Sequence, residues 1–133
     1  QEKQNGDFVR RIIRDKTITA CHDVSSGGVG VALAEMAIKG KVGASVVLPA
    51  NTHEALYGED QARYVITCTA DNKAALLSAA ETANIELEAL GRTGGDALNF
   101  GAHGAISIAS LHEAYEGWFP SFMQGTPAQE AAE

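Results

Sequence analysis

Two short runs carry most of the side chains able to do chemistry. The first is His22-Asp23-Val24-Ser25-Ser26-Gly27-Gly28, and the second is Glu59-Asp60-Gln61-Ala62-Arg63. In the first run a carboxylate and an imidazole precede a Ser-Ser-Gly-Gly turn, after which alanines, a leucine and a methionine recur at helical spacing. A helix that starts in such a turn offers unpaired N–H groups and the positive end of its dipole. The backbone at Ser25, Ser26, Gly27 and Gly28 could therefore hold an anion such as phosphate. Purely steric needs select the same residues: a tight strand-to-helix joint favours glycine, and Ser25 or Ser26 would serve as N-cap. Asp23 could bind Mg2+ through oxygen or accept N–H bonds of its own turn. The run is neither a Walker A loop nor a dinucleotide fingerprint, since it lacks a Gly-Lys-Ser/Thr ending and its glycines fall at 27, 28 and 30.

The second run places Glu59, Asp60, Gln61 and Arg63 in front of a strongly β-favouring stretch. Carboxylates and an amide so placed could contact a ribose, a phosphate-bound Mg2+ or an amide substrate, although the entrance to a strand is polar in any case. Arg63 offers a phosphate fork or a salt bridge to Glu59. His22 has no second histidine at metal-ligand spacing and reads as a hydrogen-bonded core residue. No Ser-His-Asp or Cys-His arrangement is readable, so no catalytic residue is assigned.

The elements that must position these runs follow from periodicity and breakers. Asp7 is placed to cap a first helix ending at Arg14, followed by a strand over 17–23 and a helix over 27–38 that is apolar nearly all round. A strand over 42–48 stops at Pro49, and Asn51 to Gly58 forms a loop or short helical turn. A strand over 64–68 leads to a helix over 72–83 capped by Asp71, and the alternation over 85–90 predicts a half-exposed strand. The turn-rich Gly91-Arg92-Thr93-Gly94-Gly95-Asp96 precedes a hairpin, 97–100 with 105–108. Ser110 caps a last helix with Leu111, Ala114, Tyr115 and Trp118 on one face, and the chain frays after Pro120. The expected fold is α+β: a layered α/β/α sandwich with a mixed, largely antiparallel sheet, partly ferredoxin-like. Residues 1–125 form one domain and 126–133 a disordered tail.

With 45% hydrophobic residues the chain can build a core, and its net charge of −7 argues against nucleic acid or an anionic membrane as partner. Cys21 and Cys68 read as reduced thiols of a cytoplasmic protein. There is no membrane-length apolar run and no secretory signal, and the Gln-Glu-Lys start reads as a piece of a longer protein. Because the second helix is apolar on two sides, a partner surface or a homodimer contact is expected there.

In combination, His22 to Val29, the Ala-Leu-Ala-Glu-Met-Ala run at 32–37, Tyr57-Gly58-Glu59-Asp60-Gln61-Ala62-Arg63-Tyr64, Gly91 to Asp96, and the closing Glu113-Ala114-Tyr115-Glu116-Gly117-Trp118-Phe119-Pro120 resemble a known family. The match over residues 17–123 is with the C-terminal part of the phosphoribosylformylglycinamidine synthases, in the superfamily of aminoimidazole ribonucleotide synthetase. The resemblance implies an ATP-dependent carbon-nitrogen ligase of purine biosynthesis. It would activate the formamide oxygen of formylglycinamide ribonucleotide as an iminophosphate, with Mg2+ offsetting phosphate charge and ammonia displacing phosphate. It implies as partners the N-terminal synthetase domains, a glutaminase subunit and a small accessory subunit. It also implies nucleotide or phosphate contacts at Asp23, Ser25, Ser26, Gly27 and Gly28, metal at Asp23, and substrate contacts at Glu59, Asp60, Gln61 and Arg63. The wording is that of the last copy of a domain present twice, and Ser26-Gly27-Gly28 stands where the family commonly reads Asp-Gly-Gly. These residues would then serve an auxiliary nucleotide site or structure alone, and the isolated chain is expected to be inactive. The alternative is a non-catalytic packing domain or another member of the superfamily.

Overall fold

The computed structural model describes residues 2–47, 52–60 and 62–123. The elements are α1 (Glu2–Arg14), β1 (Ala20–Asp23), α2 (Gly28–Gly40), β2 (Ala44–Val46), α3 (Thr52–Tyr57), β3 (Tyr64–Thr67), α4 (Ala70–Thr82), β4 (Gly91–Thr93), β5 (Ala97–Asn99), β6 (Ala105–Ser107), α5 (Ile108–Glu116) and α6 (Trp118–Met123). The fold is the expected α+β, and its strand pairings are antiparallel except for β2 with β5. The pairings fall into two pieces: a ribbon of β1 and β3, and a four-stranded sheet in the order β4-β2-β5-β6.

The ribbon separates two apolar clusters. On one side α1 and α4 bury Phe8, Ile12, Leu76 and Ala80, with Ile66 and Cys68 packed against them. On the other, α2 buries Val29, Ala32, Leu33 and Ala37 against Val24 and Val65 of the ribbon segment and against Val46 and Leu98 of the larger sheet. Successive residues of a strand point to opposite faces, so Val65 serves one cluster and Ile66 the other. This local α/β/α layering fixes β1 and the start of α2 from both sides.

Several boundaries differ from the sequence reading. Helix α1 starts at Glu2, which places Asp7 inside it, where it pairs with Arg10 one turn on at 3.2 Å. Helix α4 takes Thr69 as N-cap, and Asp71 lies in its first turn, where a carboxylate suits the dipole. The cap of α5 is Ser107, whose hydroxyl accepts the Ser110 N–H at 3.0 Å; Ser110 is inside the helix. Residues 85–88 alternate in burial as expected, the alternation breaks at Ala89, which is exposed, and no strand is assigned to 85–90. Ile85 and Leu87 pack on the α1–α4 cluster, while the Leu90 carbonyl accepts the Val47 N–H at 2.7 Å. The chain stays helical past Pro120 as far as Met123: Pro120 is the third residue of α6, where its missing N–H costs nothing. The expected tail over 126–133 lies outside the described residues.

The second apolar side of α2 is covered only in part within the domain. Helices α3 and α5 pack against it, Ile108 and Leu111 of α5 reach its cluster, Ala34 and Ile38 are half-buried, and Val31 is the part left to solvent. No described helix is long and apolar enough to cross a membrane.

Candidate functional site

Strand β1 runs out at Asp23, which pairs with Tyr64, the first residue of β3. The Val24 N–H donates to the Arg63 carbonyl at 2.9 Å, so the two sequence runs meet at the mouth of the ribbon. Four residues after Asp23 the chain turns sharply, with Gly27 at φ 85° and Gly28 at φ 69°. Both values lie where a Cβ is strained, which is why this joint requires glycine. Gly27, not a serine, is the N-cap of α2, and it has no side chain with which to cap the helix itself. At Gly28 a side chain has no room, because a Cβ would stand 2.5 Å from the Leu56 carbonyl oxygen and 2.8 Å from the Tyr57 backbone.

Two of the turn amides that could receive an anion already have protein partners. The Gly27 N–H donates to Glu59 Oε1 at 2.7 Å, and the Gly28 N–H to the Ser25 carbonyl at 3.0 Å. Glu59 therefore supplies the negative charge that the N-terminus of α2 favours, 32 positions away in sequence. A phosphate arriving at the Gly27 amide would have to displace that carboxylate. Ser25 and Ser26 are exposed beside it.

Asp60 pairs with Arg63 at 3.5 Å, so the arginine meets its i−3 neighbour and Glu59 is committed to the turn. Gln61 lies outside the described residues. Arg92 is on β4 opposite Ser45, in the larger sheet. Both ring nitrogens of His22 face acceptors: Nε2 is 2.9 Å from Glu35 Oε2 and Nδ1 is 2.6 Å from the Asp23 carbonyl oxygen, and a neutral ring donates to one of them at a time. Glu35 is the residue that sequence reasoning did not connect to the site, although an only acid on an otherwise apolar helix was the signal for it. Burial first, and the nearby Asp23 charge second, push the Cys21 thiol above its ordinary value, which keeps it protonated and a poor nucleophile.

The Asp23 carboxylate is largely exposed at the rim, 3.9 Å from His22 Nδ1. Among the described residues no three of His, Cys, Asp and Glu are placed to hold a metal ion. The residues present do not fit a self-contained Mg2+ site; Asp23 could add only one oxygen to a cation held by other groups. The rim thus offers one exposed carboxylate, two serines and an Asp-Arg pair around a joint that is closed by hydrogen bonds.

Comparison with known proteins adds to this geometry. Residues 1–102 match the family described as AIR synthase related protein, C-terminal domain. The chain is 45% identical over 130 residues to the phosphoribosylformylglycinamidine synthase subunit PurL of Sinorhizobium fredii, covering 97% of this chain and 18% of that protein. It is 48% identical over 128 residues to the same-named subunit of Brucella ovis, covering 93% and 17%. Among solved structures, Thermotoga maritima PurL complexed with FGAR aligns with a TM-score of 0.70 at 19% identity, over 83% of this chain and 20% of that one. The same protein complexed with ATP gives 0.69 at 17%, over 82% and 21%. The Thermotoga maritima PurLQS structure gives 0.72 at 18%, over 83% and 21%. At such identities these structures establish the fold. The chain spans about a fifth of the length of the curated relatives it matches.

Proposed function

We propose, from the premise that this chain belongs to the AIR synthase related proteins as their C-terminal domain, that it is the last domain of a phosphoribosylformylglycinamidine synthase. The whole polypeptide would be an ATP-dependent carbon-nitrogen ligase of purine biosynthesis. It would convert formylglycinamide ribonucleotide, ATP and ammonia into formylglycinamidine ribonucleotide, ADP and phosphate in the cytoplasm. The observation that carries the reading is the 45% identity spread over 97% of the chain. Partners named in the resemblance, a glutaminase and a small subunit, gain support from the PurLQS assembly of the Thermotoga relative.

Within that enzyme the rim formed by Asp23, Ser25, Ser26, Asp60 and Arg63 faces the bound phosphorylated ligands, and the Gly27-Gly28 turn holds the rim's shape. Exposed serine hydroxyls and the Arg63 guanidinium can hydrogen-bond phosphate oxygens, and Asp23 can meet a cation carried by a nucleotide. ATP supplies the phosphoryl group that turns an amide oxygen into a leaving group. Mg2+ would be held chiefly by phosphates and by other domains, since this chain has no complete donor set. With both His22 nitrogens facing acceptors and Cys21 protonated, neither of these two side chains serves as a general base at the rim, which supports reading the chain by itself as inactive.

The Gly27–Glu59 bond favours a second reading, in which this copy only packs against and fixes its neighbours. Phosphate release is measured with formylglycinamide ribonucleotide, ATP, Mg2+ and ammonia, using the complete polypeptide and the 133-residue chain. Turnover by the complete polypeptide and none by the chain is expected; equal turnover by the chain refutes its dependence on other domains. Titration of the chain with ADP and Mg2+, followed at the amides of residues 23–30, separates a ligand-facing rim from a packing module.

A further inference from the structure

Residues Tyr115, Trp118, Phe119, Phe122 and Met123 follow one another at steps of three, one, three and one, the spacing of a single helical face. They continue the face that begins at Ile108 and Leu111, which pack on the α2 cluster. Beyond Leu111 the stripe runs past the edge of the core: the five side chains are between 58 and 67% exposed. The Trp118 and Phe122 rings stack on each other, 5.4 Å between centroids and 13° between planes, so part of the surface is already ordered. The segment Gly117-Trp-Phe-Pro-Ser-Phe-Met123 carries no charge, although a fifth of the chain's residues are charged. Aromatic enrichment with charge depletion is the composition of an interface centre.

We propose that this stripe is the seat of another domain of the same, longer polypeptide. The inference rests on the reading that the chain is one domain of a synthetase. Its relatives carry about four-fifths of their length outside the match, so a covering domain is available on the same chain. The amount of surface suits that occupant. Five such side chains at these exposures present on the order of 600 Å². A contact within one polypeptide needs about 600–1,500 Å² in all, and a tether raises the local concentration to about millimolar. A free dimer of standard size needs about 800 Å² from each copy, and the net charge of −7 sets two copies against each other.

Trp118 is the only tryptophan of the 133 residues and reports directly on the stripe. Acrylamide quenching of its fluorescence is measured in the 133-residue chain at low and high micromolar concentration. In the complete polypeptide the Trp118 signal is taken as the difference from a Trp118→Phe variant. The expected result is an open, concentration-independent Trp118 in the short chain and several-fold weaker quenching in the complete polypeptide. Phe122→Asp should reopen it there, with exchange protection of amides 28–40 retained as proof of folding; if that variant unfolds, Phe119→Ser takes its place. Equal quenching in both contexts overturns the proposal. Protection in the short chain that grows with concentration assigns the stripe to a second copy, and protection at every concentration assigns it to residues 124–133; either also overturns it. Ligase turnover is assayed separately, so absence of activity with Trp118 still shielded strikes the proposed function and leaves the docking surface standing.

Discussion

At the start of α2 the Gly27 and Gly28 amides and both nitrogens of His22 have partners within the chain. Along α5 and α6, in contrast, the five large apolar residues of one helical face meet solvent. The first region is satisfied from inside and holds its shape without help. The second has the composition of a core and nothing described in this chain to complete it. A domain of a larger enzyme can therefore be finished at its rim and unfinished at its docking face. Substitutions should cost stability in this chain at the first region and very little at the second.

The strongest test removes α2 packing. Leu33→Ala should destabilise the chain by about 2–5 kcal/mol in urea unfolding, because a buried leucine leaves both lost transfer energy and a cavity. Gly28→Ala comes next, at about 1–3 kcal/mol from backbone strain, with the Leu56 carbonyl contact added. A neutral result there would mean that α3 does not sit on the turn. Glu59→Ala should cost about 1 kcal/mol, typical of a lost helix cap, and should speed hydrogen exchange at Gly27 while leaving Gly28 unchanged. Glu59→Gln, which keeps an acceptor, should restore part of both effects. At the other end, Phe122→Ala should change stability by less than about 0.5 kcal/mol in the 133-residue chain. A loss as large as that of Leu33→Ala would erase the contrast between the two regions.

The smallest effect is read from pH. The Cys21 thiol is held above its ordinary value in the folded chain, so in the alkaline range the unfolded chain loses that proton first. Stability should therefore fall as pH rises from the ordinary thiol value toward the folded one, and be unaffected below it. Alkylation of Cys21 should be slower than that of a free thiol, and Asp23→Asn should quicken it modestly. Unchanged alkylation in that variant would leave burial as the only cause.

The alternation and helical periods placed most elements, because they are set by which face is buried, but missed β4 inside the turn-rich 91–96 and the helix α6. The end positions were harder to read, since several residues in each neighbourhood can cap. Ser107 and Ser110 are three apart, and only packing of Ile108 on the core decides between them. Residues 85–88 carry a strand's alternation without a ladder, because alternation reports burial and not pairing. The site was legible as two runs of residue types, but not as a circuit. Nothing local says that Glu59 reaches Gly27 or that His22 reaches Glu35, since both contacts depend on how α2 lies across the ribbon. The apolar second side of α2 suggested a missing partner; α3 and α5 pack on α2 and leave Val31 exposed, and a larger exposed stripe lies farther along, on the helix face that contains Trp118.

The ribbon of β1 and β3 is a wall shared by two cores, with Val65 facing one and Ile66 the other. Neither core can melt while the wall stands, and neither keeps its wall once the other has melted. Despite having two clusters, the chain should lose its structure in a single sharp thermal step, with the calorimetric enthalpy equal to the van't Hoff value. Two resolved steps would mean that each cluster holds the ribbon without the other.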